Sequence, residues 1–380
     1  MSPVYQSDRN QIAPWLVPLR ESLDLESFPN AVLIHGQAGL GKFEFALELA
    51  KGLPCEGSAD AESKPCNHCE ACHWFDSANH PDFTALVPET HRSLLPQTVY
   101  ESEEVPKKGK TSHEESDGES SEKKAKKNIS IEETRNVIEA LSIGAHRGGN
   151  KVILIYPLEN LRSDSANTLL KSLEEPPPRT IFILLADRLD RVLPTIRSRC
   201  RLLSIGRPDK NEGIGWLYSQ IAKISGAQFK DADIESLYDE HGGAPYAVLD
   251  SIISRDNKDD KDELSIAFQA SRQLLLSMSQ GARIQWLEIS EKIHKAQFAY
   301  LLATMQRWSS DLLIVAQGGS PRYYPNHIDT LRALSKQVSI SKLLQYWKTL
   351  VQYRRHENHP LATRIQLEAL LSQYQQIFEL

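Results

Sequence analysis

Two kinds of hydrophobic pattern divide the chain. Up to about residue 207, short unbroken apolar runs alternate with stretches whose apolar residues recur at helical spacing. The runs are Ala31-Val32-Leu33-Ile34, Val152-Ile153-Leu154-Ile155 and Ile181-Phe182-Ile183-Leu184-Leu185. Strands without polar alternation fit a parallel sheet covered by helices on both faces. After the first run, a glycine loop leads into a helical pattern carrying Phe45, Leu47, Leu49 and Ala50. Before the last run, Ser163-Asp164 can cap a helix whose Ala166, Leu169, Leu170 and Leu173 share a face. Pro176-Pro177-Pro178 ends it.

Past Pro208 the strand signals fade. A small helical unit is expected over 208–254, with Gly242-Gly243-Ala244-Pro245 before its last helix. The charged connector Arg255-Asp256-Asn257-Lys258-Asp259-Asp260-Lys261 marks a boundary. Residues 255–380 then read as all helical. Leu301, Met305, Trp308, Leu312 and Val315 form one stripe, and Leu367, Leu370, Leu371, Tyr374 and Phe378 form another. Such stripes are ordinarily core.

Residues 100–128 interrupt the first region. Between 101 and 128 stand eight acidic residues and seven lysines, with almost no large apolar side chain. Such a segment cannot bury enough surface to offset its ordering entropy, so disorder is expected. Its closing run, Lys123-Lys124-Ala125-Lys126-Lys127, reads as solvated linker or as a DNA contact, with the linker favoured.

The formal charge of −6 gives no general attraction to nucleic acid, so any DNA contact must be local. Met1-Ser2-Pro3-Val4-Tyr5 lacks the features of a signal peptide, and no stretch approaches the roughly 18 apolar residues of a membrane span. A cytoplasmic protein without membrane partners is expected.

Gly36-Gln37-Ala38-Gly39-Leu40-Gly41-Lys42 lies between a strand and a helix, the context of a phosphate-binding loop. Gly36, Gly39 and Gly41 would let backbone N–H groups approach phosphate oxygens, and Lys42 would reach the terminal phosphates. The next residue should be Ser or Thr to hold Mg²⁺, and it is Phe43. The neighbouring strand should end in carboxylates and instead runs into Tyr156-Pro157. Glu159 follows, but past a turn that gives it another direction. Two independent losses argue against ATP hydrolysis and make ATP/Mg²⁺ at this site doubtful.

Cys55, Cys66, Cys69 and Cys72 lie within eighteen residues, apart from Cys200. In a reducing compartment the spacing reads as one tetrahedral, structural Zn²⁺ site in a module over about 55–73. His68 or His73 could replace a cysteine as ligand; free thiols, a redox pair and an iron–sulfur cluster stay open.

In order, these features resemble the AAA+ clamp-loader subunits of bacterial DNA polymerase III. The resemblance rests on Gly36–Lys42, the cysteine module, His80-Pro81-Asp82 and Ile131-Glu132-Glu133-Thr134-Arg135. Its most specific parts are Asn167-Thr168-Leu169-Leu170-Lys171-Ser172-Leu173-Glu174-Glu175-Pro176-Pro177 and Ser198-Arg199-Cys200. It covers about 30–250 well and the helical C-terminus weakly. It implies an α/β AAA+ P-loop domain over 1–207 with parallel sheet and inserted zinc module. A small helical lid domain over 208–254 and an all-α collar over 255–380 would follow.

The ATP-hydrolysing gamma and tau subunits of that family keep the hydroxyl after the lysine and an Asp-Glu pair; this chain has neither. Pro245 stands near the place of their sensor arginine. Delta typically lacks both the cysteine module and Ser-Arg-Cys. The resemblance therefore implies a non-hydrolysing subunit that retains Arg199 as an arginine finger offered in trans. Its partners would be gamma or tau and delta, in a ring that loads the sliding beta clamp onto primed DNA as part of the polymerase holoenzyme. The rivals are an active P-loop enzyme, which lacks its acidic groups here, and a zinc-dependent nucleic-acid-binding regulator, whose module would carry few basic residues. An ATPase assay and a salt-dependent DNA titration separate them. Read as a strand, Arg197, Arg199 and Arg201 would point to one side.

Overall fold

The computed structural model describes residues 12–57, 64–95, 129, 131–140, 149–161, 163–223, 231–256, 263–355 and 362–378. Residues 100–128, expected to be disordered, lie outside these. The chain forms two compact units, Met1–Arg207 and Pro208–Leu380.

The first unit is built on five parallel strands in the order β2-β3-β4-β1-β5. They are β1 (Ala31–His35), β2 (Phe83–Leu86), β3 (Lys151–Ile155), β4 (Thr180–Ala186) and β5 (Arg201–Ser204). The helices of this unit are α1 (Val17–Glu21), α2 (Lys42–Gly52), α3 (Glu70–Asp76), α4 (Ile131–Ala140), α5 (Ser163–Glu174) and α6 (Pro194–Arg197). The three continuous apolar runs are the three inner strands, β3, β4 and β1, buried on both faces as their composition requires. One face joins Leu33, Ile153, Ile155, Phe182 and Leu184 to Ala166, Leu169 and Leu173 of α5 in one core. Alternate strand residues point the other way, and α2 packs against β1, β3 and β4.

Register decides what meets at the ends of these strands. His35 pairs with Ala186 on one side and with Ser204 on the other. The Gly36 N–H then donates to the Ala186 carbonyl (3.3 Å). A Cβ at Gly36 would stand 2.6 Å from the Ile205 carbonyl oxygen, so the close backbone approach admits glycine alone.

The expected extended backbone from Arg197 to Arg201 is not formed. Pro194 opens α6, the Ser198 hydroxyl donates to the Thr195 carbonyl (3.0 Å), and Ser198 itself stays helical at φ −70° and ψ −14°. The strand begins only at Arg201. A proline that starts a helical turn overrides the alternation of the arginines.

The second unit is helical: α7 (Lys210–Ile221), α8 (Asp231–Glu240), α9 (Pro245–Asp256), α10 (Glu263–Met278), α11 (Trp286–Ile293), α12 (Phe298–Ala316), α13 (Ile328–Ser335), α14 (Ile340–Arg355) and α15 (Thr363–Gln375). Both sequence stripes are buried in one core with Leu274, Met278, Leu343 and Leu350. Within that core Trp308 Nε1 donates to the Tyr374 hydroxyl (2.8 Å), which donates to the Met278 carbonyl (2.8 Å). This relay satisfies two buried polar groups and ties α12, α15 and α10 together. Among the described residues, no helix is long and apolar enough to cross a membrane.

Asp311 is fully buried on α12 and accepts the N–H groups of Arg322, Tyr323 and Tyr324 at 2.7–2.8 Å. Burial pushes its carboxyl above the usual range, while the three N–H groups oppose the shift. Asp311→Ala would leave those donors without an acceptor and is expected to lower stability by about 2–4 kcal/mol. The measurement is urea unfolding, with hydrogen exchange at residues 322–324 accelerating more than in the rest of α12.

Candidate functional site

The glycine loop joins the buried β1 to α2, which begins on Lys42. Gly39 and Gly41 take left-handed φ values of 79° and 88°, which glycine adopts without strain. Trp15 Nε1 donates to the Leu40 carbonyl (3.1 Å) and Arg207 Nε donates to Gln37 Oε1 (3.0 Å), so side chains from outside the loop hold it.

Lys42 is turned inward. Its Nζ lies 2.7 Å from Asp187 Oδ1 and donates to the Gln37 carbonyl at 2.7 Å; the side chain is only 3% exposed. Asp187 follows β4 directly, beside the loop because β1 and β4 pair in register. Phe43 is buried, and its ring lies 5.4 Å from that of Tyr156. The Tyr156 hydroxyl donates to Asp187 Oδ2 (3.2 Å), and the His91 ring meets Tyr156 edge-on at 5.4 Å. Burial, then the Asp187 charge, push the Tyr156 hydroxyl well above its ordinary range. The place of a metal-binding hydroxyl and its acidic partner is thus an aromatic contact.

Glu159 is engaged with the backbone that follows β4. Its Oε1 accepts the N–H groups of Asp187 and Arg188 at 3.0 and 3.1 Å. Burial, with the Asp187 charge, pushes the Glu159 carboxyl upward. Glu159 therefore fixes the backbone that carries Asp187. Asp187 escaped the reading of the sequence, although a carboxylate ending a buried parallel strand is a signal, since ligands sit at the carboxyl ends of such strands.

The four cysteines converge. The sulfurs of Cys55, Cys66, Cys69 and Cys72 all lie within 4.8 Å of one another, and His68 and His73 are exposed outside the group. Sγ of Cys55 is 3.8 Å from that of Cys69 and 3.7 Å from that of Cys72. A tetrahedral ion with bonds of about 2.3 Å to sulfur would set sulfurs about 3.8 Å apart. The group could hold one metal ion, and its sulfurs stand too close together to surround a multi-iron cluster. The Cys66 N–H points at the Cys55 sulfur (3.3 Å) and the Cys69 N–H at the Cys66 sulfur (3.4 Å). The His68 N–H leads the groups that draw the Cys66 thiol down to about 6, whereas burial pushes Cys55 and Cys72 up. Lys51, in the last turn of α2, grips both Asp76 oxygens (2.7 and 2.9 Å), and the Phe75 and Phe83 rings meet at a tilt with centroids 4.7 Å apart. These contacts anchor α3 to α2 and β2.

Arg199 lies on the turn between α6 and β5. Its Nε donates to Glu174 Oε1 (2.7 Å), Nη2 pairs with the same oxygen, and Nη1 donates to the Thr195 carbonyl (2.8 Å) and Ser198 Oγ (3.3 Å). Arg197 is half-buried instead, and its charge, after burial, lowers the His35 imidazole at the end of β1.

A five-stranded parallel sheet, with a glycine-lysine loop leaving a central strand for a helix, defines an α/β protein with a P-loop-like connection. The chain matches the family described as DNA polymerase III, delta subunit over residues 15–209, and it belongs to that family. It is 30% identical over 213 residues to the DNA polymerase III subunit delta' of Haemophilus influenzae, covering 55% of this chain and 54% of that one. It is 27% identical over 288 residues to the subunit delta' of Escherichia coli, covering 72% and 73%. The chain spans about half the length of the first of these relatives. A DNA polymerase III gamma subunit-related protein of Thermotoga maritima has a solved structure that aligns over 90% of this chain and 99% of that one, with 16% identity and a TM-score of 0.38.

The buried ammonium of Lys42 depends on Asp187. Asp187→Ala is expected to destabilise the first unit by about 2–4 kcal/mol, because it removes the counter-charge of a buried side chain. Adding Lys42→Met should recover most of the loss. Denaturation of the two single variants and the double variant measures the coupling.

Proposed function

We propose that the chain is the non-hydrolysing delta-prime subunit of a DNA polymerase III clamp loader. In that role it joins gamma or tau and delta subunits and helps load the sliding beta clamp onto primed DNA in the cytoplasm. DNA is met through the assembled complex. Residues 208–254 serve as the lid and 255–380 as the collar that carries oligomerisation.

One observation carries the reading: the phosphate loop is satisfied from within. Lys42 is neutralised by Asp187, and Phe43 packs on Tyr156 where a metal-binding hydroxyl and a carboxylate would be needed. Phosphoryl transfer relies on a metal that bridges β- and γ-oxygens and on a residue that orients the attacking water. None of Phe43, Tyr156 and Pro157 supplies either function, so the residues do not fit Mg²⁺. Arg199, by contrast, sits on a turn with about a third of its side chain exposed. There it can reach the nucleotide of a neighbouring subunit, where a guanidinium offsets charge that develops in the transition state.

Cys55, Cys66, Cys69 and Cys72 hold one structural Zn²⁺. The donor set is all sulfur, it closes the coordination sphere, and two sulfur–sulfur distances fit the tetrahedral edge. The ion would staple the segment around residues 55–73 to the end of α2. Elemental analysis of protein purified without chelator should give about one zinc per chain. A metal-free, well-folded protein with four titratable thiols here would reject the site.

Alone, the chain should turn over ATP no faster than background. In a ring reconstituted with gamma or tau and delta, Arg199→Ala should leave assembly and zinc content intact. It should also lower clamp- and DNA-stimulated ATPase. A finger is worth roughly 10³–10⁵ at its own site; the loss in total turnover will be smaller, because other sites keep theirs. Unchanged turnover in the mutant ring would remove this chain from the chemistry.

A further inference from the structure

An arginine side chain owns five N–H donors. In Arg199 one Nε–H and one Nη2–H are taken by Glu174 Oε1, and two from Nη1 reach the Thr195 carbonyl and Ser198 Oγ. Four of the five are therefore engaged inside the chain. Two of the three acceptors, the Thr195 carbonyl and Ser198 Oγ, are neutral and local to the same turn, whereas Glu174 comes from the end of α5, the helix that precedes β4. It is also the one acceptor that carries a full charge. A carboxylate and a phosphate compete for the same planar fork.

From this geometry we propose that Glu174 is an intrachain latch: its carboxylate occupies the donors of Arg199 that a neighbour's phosphate would need, and releases them when that phosphate arrives. The inference rests on the reading of Arg199 as an arginine offered in trans. Glu174 and Arg199 are both partly exposed, at 49% and 32% of their side chains, so water screens the pair and keeps it reversible. A buried pair would hold the arginine permanently; an absent one would leave the guanidinium free to take surface anions in the unassembled chain. Adjacent negative charge also diminishes what the arginine can offer to a phosphate while the latch is closed. Release is a shift between two populations, set by the difference in affinity of the guanidinium for carboxylate and for phosphate.

The first test uses the full chain alone. Phenylglyoxal labels accessible guanidinium groups, and peptide mass spectrometry reads Arg199 against the exposed Arg201 as reference. Glu174→Gln should raise the Arg199 labelling rate about two- to fivefold, the factor an exposed ion pair supplies. Glu175→Gln, one residue on and also exposed, controls for the loss of one negative charge and should change nothing. The second test is the reconstituted ring without clamp or DNA. There Glu174→Gln should raise basal ATPase, and Glu174→Gln with Arg199→Ala should match Arg199→Ala alone. Unchanged labelling in Glu174→Gln overturns the latch whatever the ring does. A fall in turnover comparable to that of Arg199→Ala also overturns it, because Glu174 would then be orienting the arginine. If Arg199→Ala leaves turnover untouched, the donation in trans fails and the release step with it; faster labelling in Glu174→Gln would identify that failure as one of the underlying reading.

Discussion

The parallel pairing of β1 with β4 is the constraint on which the phosphate loop depends. It sets His35 beside Ala186, so that the loop leaving one strand and the carboxylate following the other begin at the same height. The Lys42–Asp187 pair follows from that register, and the Tyr156 hydroxyl on Asp187 and the Glu159 clasp on the backbone of Asp187 and Arg188 follow from the pairing of β3 with β4. A slip of one residue would turn the apolar side chains of β4 to the opposite faces and move Asp187 away from Lys42. Because every strand residue of β3 and β4 is buried, such a slip is strongly disfavoured. The sheet core and the chemistry of the loop are thus one design.

The Lys42 side chain is 3% exposed, and burying a charge is costly unless it is paired. In a working phosphate loop the nucleotide supplies the negative charge. Here Asp187 supplies it from within the chain, and the pair anchors α2 at its first residue. Beside that pair the Phe43 and Tyr156 rings meet, adding apolar contact at the same end of the sheet. The cysteine group applies the opposite solution on the same unit, gathering four soft donors where burial alone would resist thiolates.

In the second unit, apolar area does most of the ordering, and polar groups mark where helices must meet. The Trp308–Tyr374–Met278 relay and the Asp311 cradle are buried and satisfied, so alternative packings would leave donors without acceptors.

The sequence by itself determined the inner strands, the two buried stripes, the glycine-lysine loop, its missing hydroxyl and carboxylate partners, and the cysteine cluster. Each is a local pattern: continuous apolar runs, helical spacing, or ligands a few residues apart. The edge strands β2 and β5 carry no such pattern. β5 runs Arg201-Leu202-Leu203-Ser204 and is largely exposed, so no apolar run announced it. Only the tertiary structure decided that Asp187 neutralises Lys42, that Glu159 serves the backbone, and that Arg199 rests on Glu174 after a helical turn. Those pairings join residues distant in the chain. Their geometry depends on strand order and register, which are set by how whole faces of the sheet are buried and by no single residue.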